Sequence, residues 1–152
     1  MKRHMSWIAA GLMVAAFATA ALAADMTSVV QARQAHYKQI GKATKAVKDA
    51  LNAPTPDLAA IRASAKTIDA LAPQLPSWFP AGSGPESGVK TTAKATIWSN
   101  PAEFKKDAAA FAAEAHTFNA VAAGGDVKAI RAEYANLGNA CKTCHQSFRT
   151  KD

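Results

Sequence analysis

The sequence predicts an all-α protein folded as a single antiparallel four-helix bundle. Apolar residues recur at intervals of three and four, the spacing that gathers side chains onto one face of a helix, and no stretch alternates as a half-buried strand requires. Proline and glycine punctuate the chain so that four such segments remain, joined by two short links and one long one. Amphipathic helices joined in this way bury their stripes by packing on one another. There is no internal repeat.

The first 23 residues stand apart. Lys2 and Arg3 precede an uncharged apolar run from Trp7 to Ala20, and small residues at Ala21 and Ala23 flank Leu22. This is the pattern of a secretory signal cleaved after Ala23. A retained membrane anchor is the alternative, but the run falls short of the about 20 residues that a bilayer requires. Residues 24–152 then form one domain of 129 residues, expected to be soluble, exported and free of the membrane. The whole chain has 18 basic and 11 acidic residues; loss of Lys2 and Arg3 leaves a formal charge of +5. These charges are spread along helical faces without an arginine-rich tract or interleaved aromatics, which argues against nucleic-acid binding. A mildly basic surface suits solubility and encounter with acidic partners.

The first helix carries the stripe Met26, Val30, Arg33, Tyr37, Ile40, Thr44, Val47 and Leu51, and should end near Asn52 because Pro54 and Pro56 cannot continue it. Thr55 is the expected N-cap of the second, with Pro56 at its first position and Leu58, Ile61, Ala65, Ile68 and Leu71 facing inward. Pro73 and Pro76 close it. A long connection rich in Gly, Pro and Ser follows, with Trp78, Phe79, Ile97 and Trp98 available to pin it down. Asn100, Pro101 and Glu103 predict a capping box for the third helix, whose stripe is Phe104, Ala108, Phe111, Ala115, Phe118 and Ala122. Gly124 and Gly125 end it, and Asp126 caps the fourth. The last stripe is Val127, Ile130, Tyr134, Leu137, Cys141, Cys144 and Phe148, so the chain's two cysteines face the core.

Those cysteines sit in "CKTCHQSFR", residues 141–149. The spacing C-x-x-C-H is the attachment pattern of c-type haem, each thiol bonding a vinyl carbon and the adjacent imidazole ligating iron. A thioredoxin-like dithiol would need a βαβ context, and a structural zinc site would need four ligands at a familiar spacing, which His36 and His116 do not complete. A disulfide between Cys141 and Cys144 would sit awkwardly within a helix. One covalent haem c through Cys141 and Cys144, with His145 as the axial ligand, is therefore expected; such haem is attached outside the cytoplasm, in keeping with the leader. Arg149, four residues further on, shares the face of His145 and serves either the proximal side of the haem or the helix dipole.

Arg33 lies on a core stripe, where a charge needs a partner; a haem propionate suits it, and a snorkelling arginine at the bundle end is the alternative. Tyr37, one turn on, faces whatever Arg33 accompanies, or is a core aromatic with a locally satisfied hydroxyl. His36 lies just off the stripe as a possible sixth ligand, although a flank histidine is more often solvated. His116 should face solvent. Met26, the only methionine after cleavage, is too near the start of the first helix to serve as an axial ligand.

Three stretches carry a family resemblance: "VVQARQAHYKQIG", "PAGSGP…IWSNPAEF" and "CKTCHQSFR". Together they resemble cytochrome c′, the class II c-type cytochromes, over nearly all of residues 26–151. The resemblance implies a periplasmic four-helix bundle, often a homodimer through its first two helices, with Arg149 beside the proximal haem face and Arg33 near a propionate. Tyr37 falls where low-spin relatives place a methionine ligand, which implies a five-coordinate, high-spin iron with a crowded distal face. The function expected is binding of nitric oxide and carbon monoxide, with iron redox chemistry and protection against nitric oxide. A six-coordinate, low-spin electron carrier serving periplasmic redox partners is the rival, and His36 keeps it open. Catalytic turnover is not expected, because no distal acid and base pair with recognisable spacing is present.

Overall fold

A computed structural model of the chain describes residues 11–151, with side chains described from Met26 onward. Five α-helices follow one another: α1 (Gly11–Asn52), α2 (Leu58–Leu71), the single turn α3 (Thr96–Ser99), α4 (Pro101–Gly124) and α5 (Val127–Phe148). Two 3₁₀ segments, Ala72–Trp78 and Pro85–Ser87, lie in the long connection. The four long helices form the bundle, and among the described residues there is no β-strand, only an isolated bridge between Ala93 and Arg149.

The packing follows the stripes. All six residues of the α4 stripe are buried, as are Ile61, Ala65 and Ile68 of α2. Helix α1 packs on α2, α2 on α4 and α4 on α5. The fourth side of the square, between α1 and α5, is closed at one end only. There Tyr134 Oη donates to Thr44 O at 3.0 Å, and Arg131 donates to Leu51 O at the C-terminus of α1.

The ends of the helices depart from expectation in instructive ways. Asp57, not Thr55, caps α2: its Oδ1 accepts from Ala60 N at 3.0 Å, and the helix starts at Leu58, beyond Pro56. Pro73 and Pro76 do not stop the chain after α2 but tighten it into the 3₁₀ segment, with Pro76 inside. A tighter coil of short length accommodates proline where a continued α-helix would lose a hydrogen bond. Asn100 precedes α4 but makes no side-chain cap, and Glu103 pairs with Lys106 at 3.0 Å instead of reaching back. Asp126 behaves as expected, accepting from Lys128 N and Ala129 N, and Gly125 ends α4 with φ +82°, a conformation that costs glycine little.

Helix α1 begins at Gly11 and so runs through the expected cleavage point after Ala23; residues 1–10 of the expected leader lie outside the described residues. No helix of the described residues is long and apolar enough to cross a membrane.

The two caps give a paired expectation. Asp126→Ala should lower the unfolding free energy by about 1 kcal/mol, whereas Asn100→Ala should change it by less than about 0.5 kcal/mol. Urea unfolding of both variants checks the contrast.

Candidate functional site

Because α1 and α5 are held apart, a cavity of about 700 Å³ opens between them. One side is built by α5. Its i, i+3 and i+4 spacing brings Cys141, Cys144 and His145 to the cavity together, with Phe148 and Arg149 beyond them. The opposite side is built by α1 through Arg33, Tyr37 and Ile40, and Leu75, Phe79, Phe104 and Phe111 supply apolar surface between. A pocket of this size, mostly apolar with a few convergent polar groups, is the ordinary form of a cofactor site.

The two thiols are not bonded to each other. Burial raises the pKa of Cys141, and burial, with Asp107 and Cys141 adding to it, pushes Cys144 up to about 11. Both thiols therefore stay protonated near neutral pH, the opposite of what a dithiol redox centre or a zinc site arranges. His145 stands at the rim, exposed on its outer side. Partial burial, and secondly the Arg149 cation, lower its pKa and favour the neutral imidazole that can ligate iron.

Arg33 is 3% exposed, and its partners within the chain are oxygens of the long connection. Its guanidinium donates to Trp78 O at 3.4 Å, Ser83 Oγ at 3.0 Å, Ser83 O at 2.9 Å and Thr91 Oγ1 at 3.1 Å, and lies 4.6 Å from the centroid of the Phe79 ring. None of these partners is anionic, and the side chain still lines the cavity. It is neither a snorkelling arginine nor a solvated one. Tyr37 packs edge-on against Trp78 and Phe79, and burial raises its pKa far above the usual phenol range.

His36 is not brought to the cavity. Its ring stacks on Trp78 at 4.6 Å and 16°, and neither residue lines the pocket. Among the described lining residues His145 is the only imidazole, and there is no methionine. His116 is exposed, as expected, and lies 3.5 Å from Asp69.

Sequence reasoning passed over the long connection as a source of site residues. Thr91, Thr92 and Ala93 line the cavity, and Trp98 Nε1 pins the loop through Phe79 O and Pro80 O. Gly84 fits closely beneath Trp98, where an added Cβ would come within 2.8 Å of the ring. The available signal was the hydroxyl content of that loop beside a buried Arg33 in need of acceptors. Tyr134 was read as core, yet it also lines the cavity and closes the seam to Thr44.

The family model for cytochrome c′ matches residues 28–149. The chain belongs to the cytochrome c′ family. A cytochrome c′ of Allochromatium vinosum is 32% identical over 155 residues, covering 99% of this chain and 100% of the relative. Among solved structures, a cytochrome c′ with an unusual ligand-controlled dimer dissociation superposes with a TM-score of 0.78 at 29% identity, covering 83% of this chain and 97% of that one. The nitric oxide complex of a variant cytochrome c′ from Alcaligenes xylosoxidans superposes with a TM-score of 0.74 at 26% identity, covering 84% and 97%. Cytochromes c′ carry one covalent haem c, and in this chain Cys141 and Cys144 are the residues that hold it. The donor set fits: two thiols and an imidazole on one side of an apolar cavity, and a buried cation without an anionic partner lining it.

Two outcomes are expected. Arg33→Met should cost roughly 2–4 kcal/mol of stability, since the carbonyls of Trp78 and Ser83 lose a charged donor; chemical unfolding measures it. The raised Tyr37 pKa means that the folded protein keeps a proton the unfolded chain releases near pH 10, so stability should fall as pH rises above about 10. Tyr37→Phe should flatten that fall in a pH series of unfolding curves.

Proposed function

We propose that this chain is an exported, periplasmic haem protein in which His145 is the one protein ligand to iron, leaving a five-coordinate, high-spin centre that binds nitric oxide and carbon monoxide. Its roles are reversible redox chemistry and protection against nitric oxide, not catalytic turnover. The observation that carries the reading is the lining of the cavity: an imidazole beside the two thiols, and, facing them from α1, a tyrosine in place of a second strong ligand. The nitric oxide complex of the Alcaligenes xylosoxidans relative supports the choice of gas.

Haem c, once attached, would supply a redox-active iron capable of binding small diatomic molecules. The chain's own residues do the rest. His145, whose pKa is lowered by partial burial and by Arg149, is the residue that would hold the iron, through the lone pair of its neutral imidazole. Tyr37 retains its proton because of its burial, and a neutral phenol is a poor ligand beside a histidine. Ile40, Leu75, Phe79 and Phe104 present an apolar wall that favours small neutral ligands over polar ones. Arg33 places a cation where a propionate can reach the cavity wall.

The stacking of His36 on Trp78, outside the cavity lining, weighs against the low-spin electron carrier. Electron exchange with periplasmic redox partners remains part of the reading. Lys38, Lys45 and Lys48 line the cavity on α1, and no acidic residue does so among the described residues, which suits a partner with an acidic face. The assembly proposed is a homodimer through α1 and α2; the relative with ligand-controlled dimer dissociation supports it.

Absorption spectra of the purified holoprotein, oxidised and reduced, before and after carbon monoxide, test the reading. High-spin bands that shift with carbon monoxide are expected; a low-spin spectrum indifferent to the gas would sink it. His145→Ala should abolish the native iron spectrum while the thioethers retain the haem, and a native spectrum in that variant would remove His145 from the role.

A further inference from the structure

We propose that the segment from Thr91 to Thr96 is a positioning element for His145: it fixes where α5 stops and ties that end to the buried Arg33 of α1. The inference rests on His145 being the iron ligand, as proposed above.

A helix leaves the carbonyls of its last four residues without intrahelical donors. In α5 these belong to His145, Gln146, Ser147 and Phe148, and each has a partner. Arg149 N donates to His145 O at 3.1 Å. The other three are met from this one segment: Lys94 Nζ donates to Gln146 O at 2.9 Å, Thr96 Oγ1 to Ser147 O at 3.2 Å, and Lys94 N to Phe148 O at 2.9 Å. A return bond runs from Thr150 N to Thr92 O at 2.9 Å, and Ala93 and Arg149 form an antiparallel bridge. No glycine ends α5; Arg149 leaves the helix extended, at φ −120° and ψ 135°. The stop is therefore imposed by a strand-like segment from elsewhere in the chain, with a lysine ammonium at the negative end of the helix dipole.

The same segment holds α1. Thr91 Oγ1 accepts from Arg33 Nη2 at 3.1 Å and from Ala93 N at 3.2 Å. One short run of chain thus grips the buried cation one turn before Tyr37 and, within a few residues, the turn that carries His145. A displacement of either side is passed to the other through the Arg33–Thr91 side-chain bond and the side-chain and main-chain bonds to the end of α5, and the direction in which His145 enters the cavity is set by residues about 50 positions earlier.

The test uses the haem-loaded ferrous protein and the double variant Lys94→Met/Thr96→Val, which keeps side-chain volume but removes both donors. The iron–histidine stretching band in resonance Raman should shift or broaden, the exposed control Lys105→Met should leave it unchanged, and Thr96→Ser should retain it. Backbone amides of Arg149 and Thr150 should exchange about tenfold faster, the opening that follows loss of a hydrogen bond of ordinary strength. A band identical to the unmodified protein, with faster exchange at those amides, would show that the segment ends the helix without positioning His145. Unchanged exchange would overturn the proposal altogether. Should the double variant not retain haem, Thr96→Val alone is read by the same two criteria. If the unmodified protein itself shows no histidine band, the ligand assignment fails instead, and the exchange rates still decide whether the segment holds the end of α5.

Discussion

A guanidinium taken out of water must be given acceptors, and the long connection of this protein is folded around that requirement. Arg33 is nearly inaccessible, and every donor contact recorded for it goes to a neutral oxygen of the loop between Trp78 and Thr91. Burial lowers its pKa, with the neighbouring Tyr37 opposing that shift, and arginine stays charged through such changes. The loop is thereby drawn across the bundle, with Phe79 over the guanidinium and the Thr91 region against the cavity. Neutral dipoles satisfy hydrogen bonds but do not cancel charge. A cation left in this state beside an apolar cavity is well matched to an occupant that brings acidic groups of its own.

The second constraint is the separation of α1 from α5. Three sides of the bundle are closed by apolar stripes, and the fourth is closed at one end by two hydrogen bonds to α1 carbonyls. What remains is space whose inner wall, built by Ile40, Leu75, Phe79, Phe104 and Phe111, gains little from water. Filling it with a flat apolar macrocycle would supply the contacts that the fourth side lacks, so the prosthetic group belongs to the core as much as to the chemistry.

Much of this was legible in the sequence. The α4 stripe, from Phe104 to Ala122, is buried residue for residue because the period of an amphipathic helix is a local property. The C-x-x-C-H spacing was legible for the same reason, since one helical turn brings Cys141, Cys144 and His145 to one cavity without help from elsewhere. Local competition was harder to read. Thr55 and Asp57 both resemble caps, and the choice depends on how the chain leaves Pro56. Asn100 has the right neighbours, but its backbone does not bring the side chain over the helix end. Tertiary partners were the least legible. His36 looks available until Trp78, some 40 residues later in the chain, arrives as its stacking surface, and the carbonyls and hydroxyls that the loop brings to Arg33 could not be read from its neighbours in sequence.

Chain order gives the open seam a further meaning. The helix that bears Cys141 and Cys144 follows the other three in the chain, so a ribosome completes α1, α2 and α4 before the attachment helix exists. Until α5 arrives, the side of α4 that packs on it has no cover, and the connection holds Arg33 of α1 but not yet the end of α5. The late position of the cysteines means that maturation can begin only when the scaffold they complete is already made.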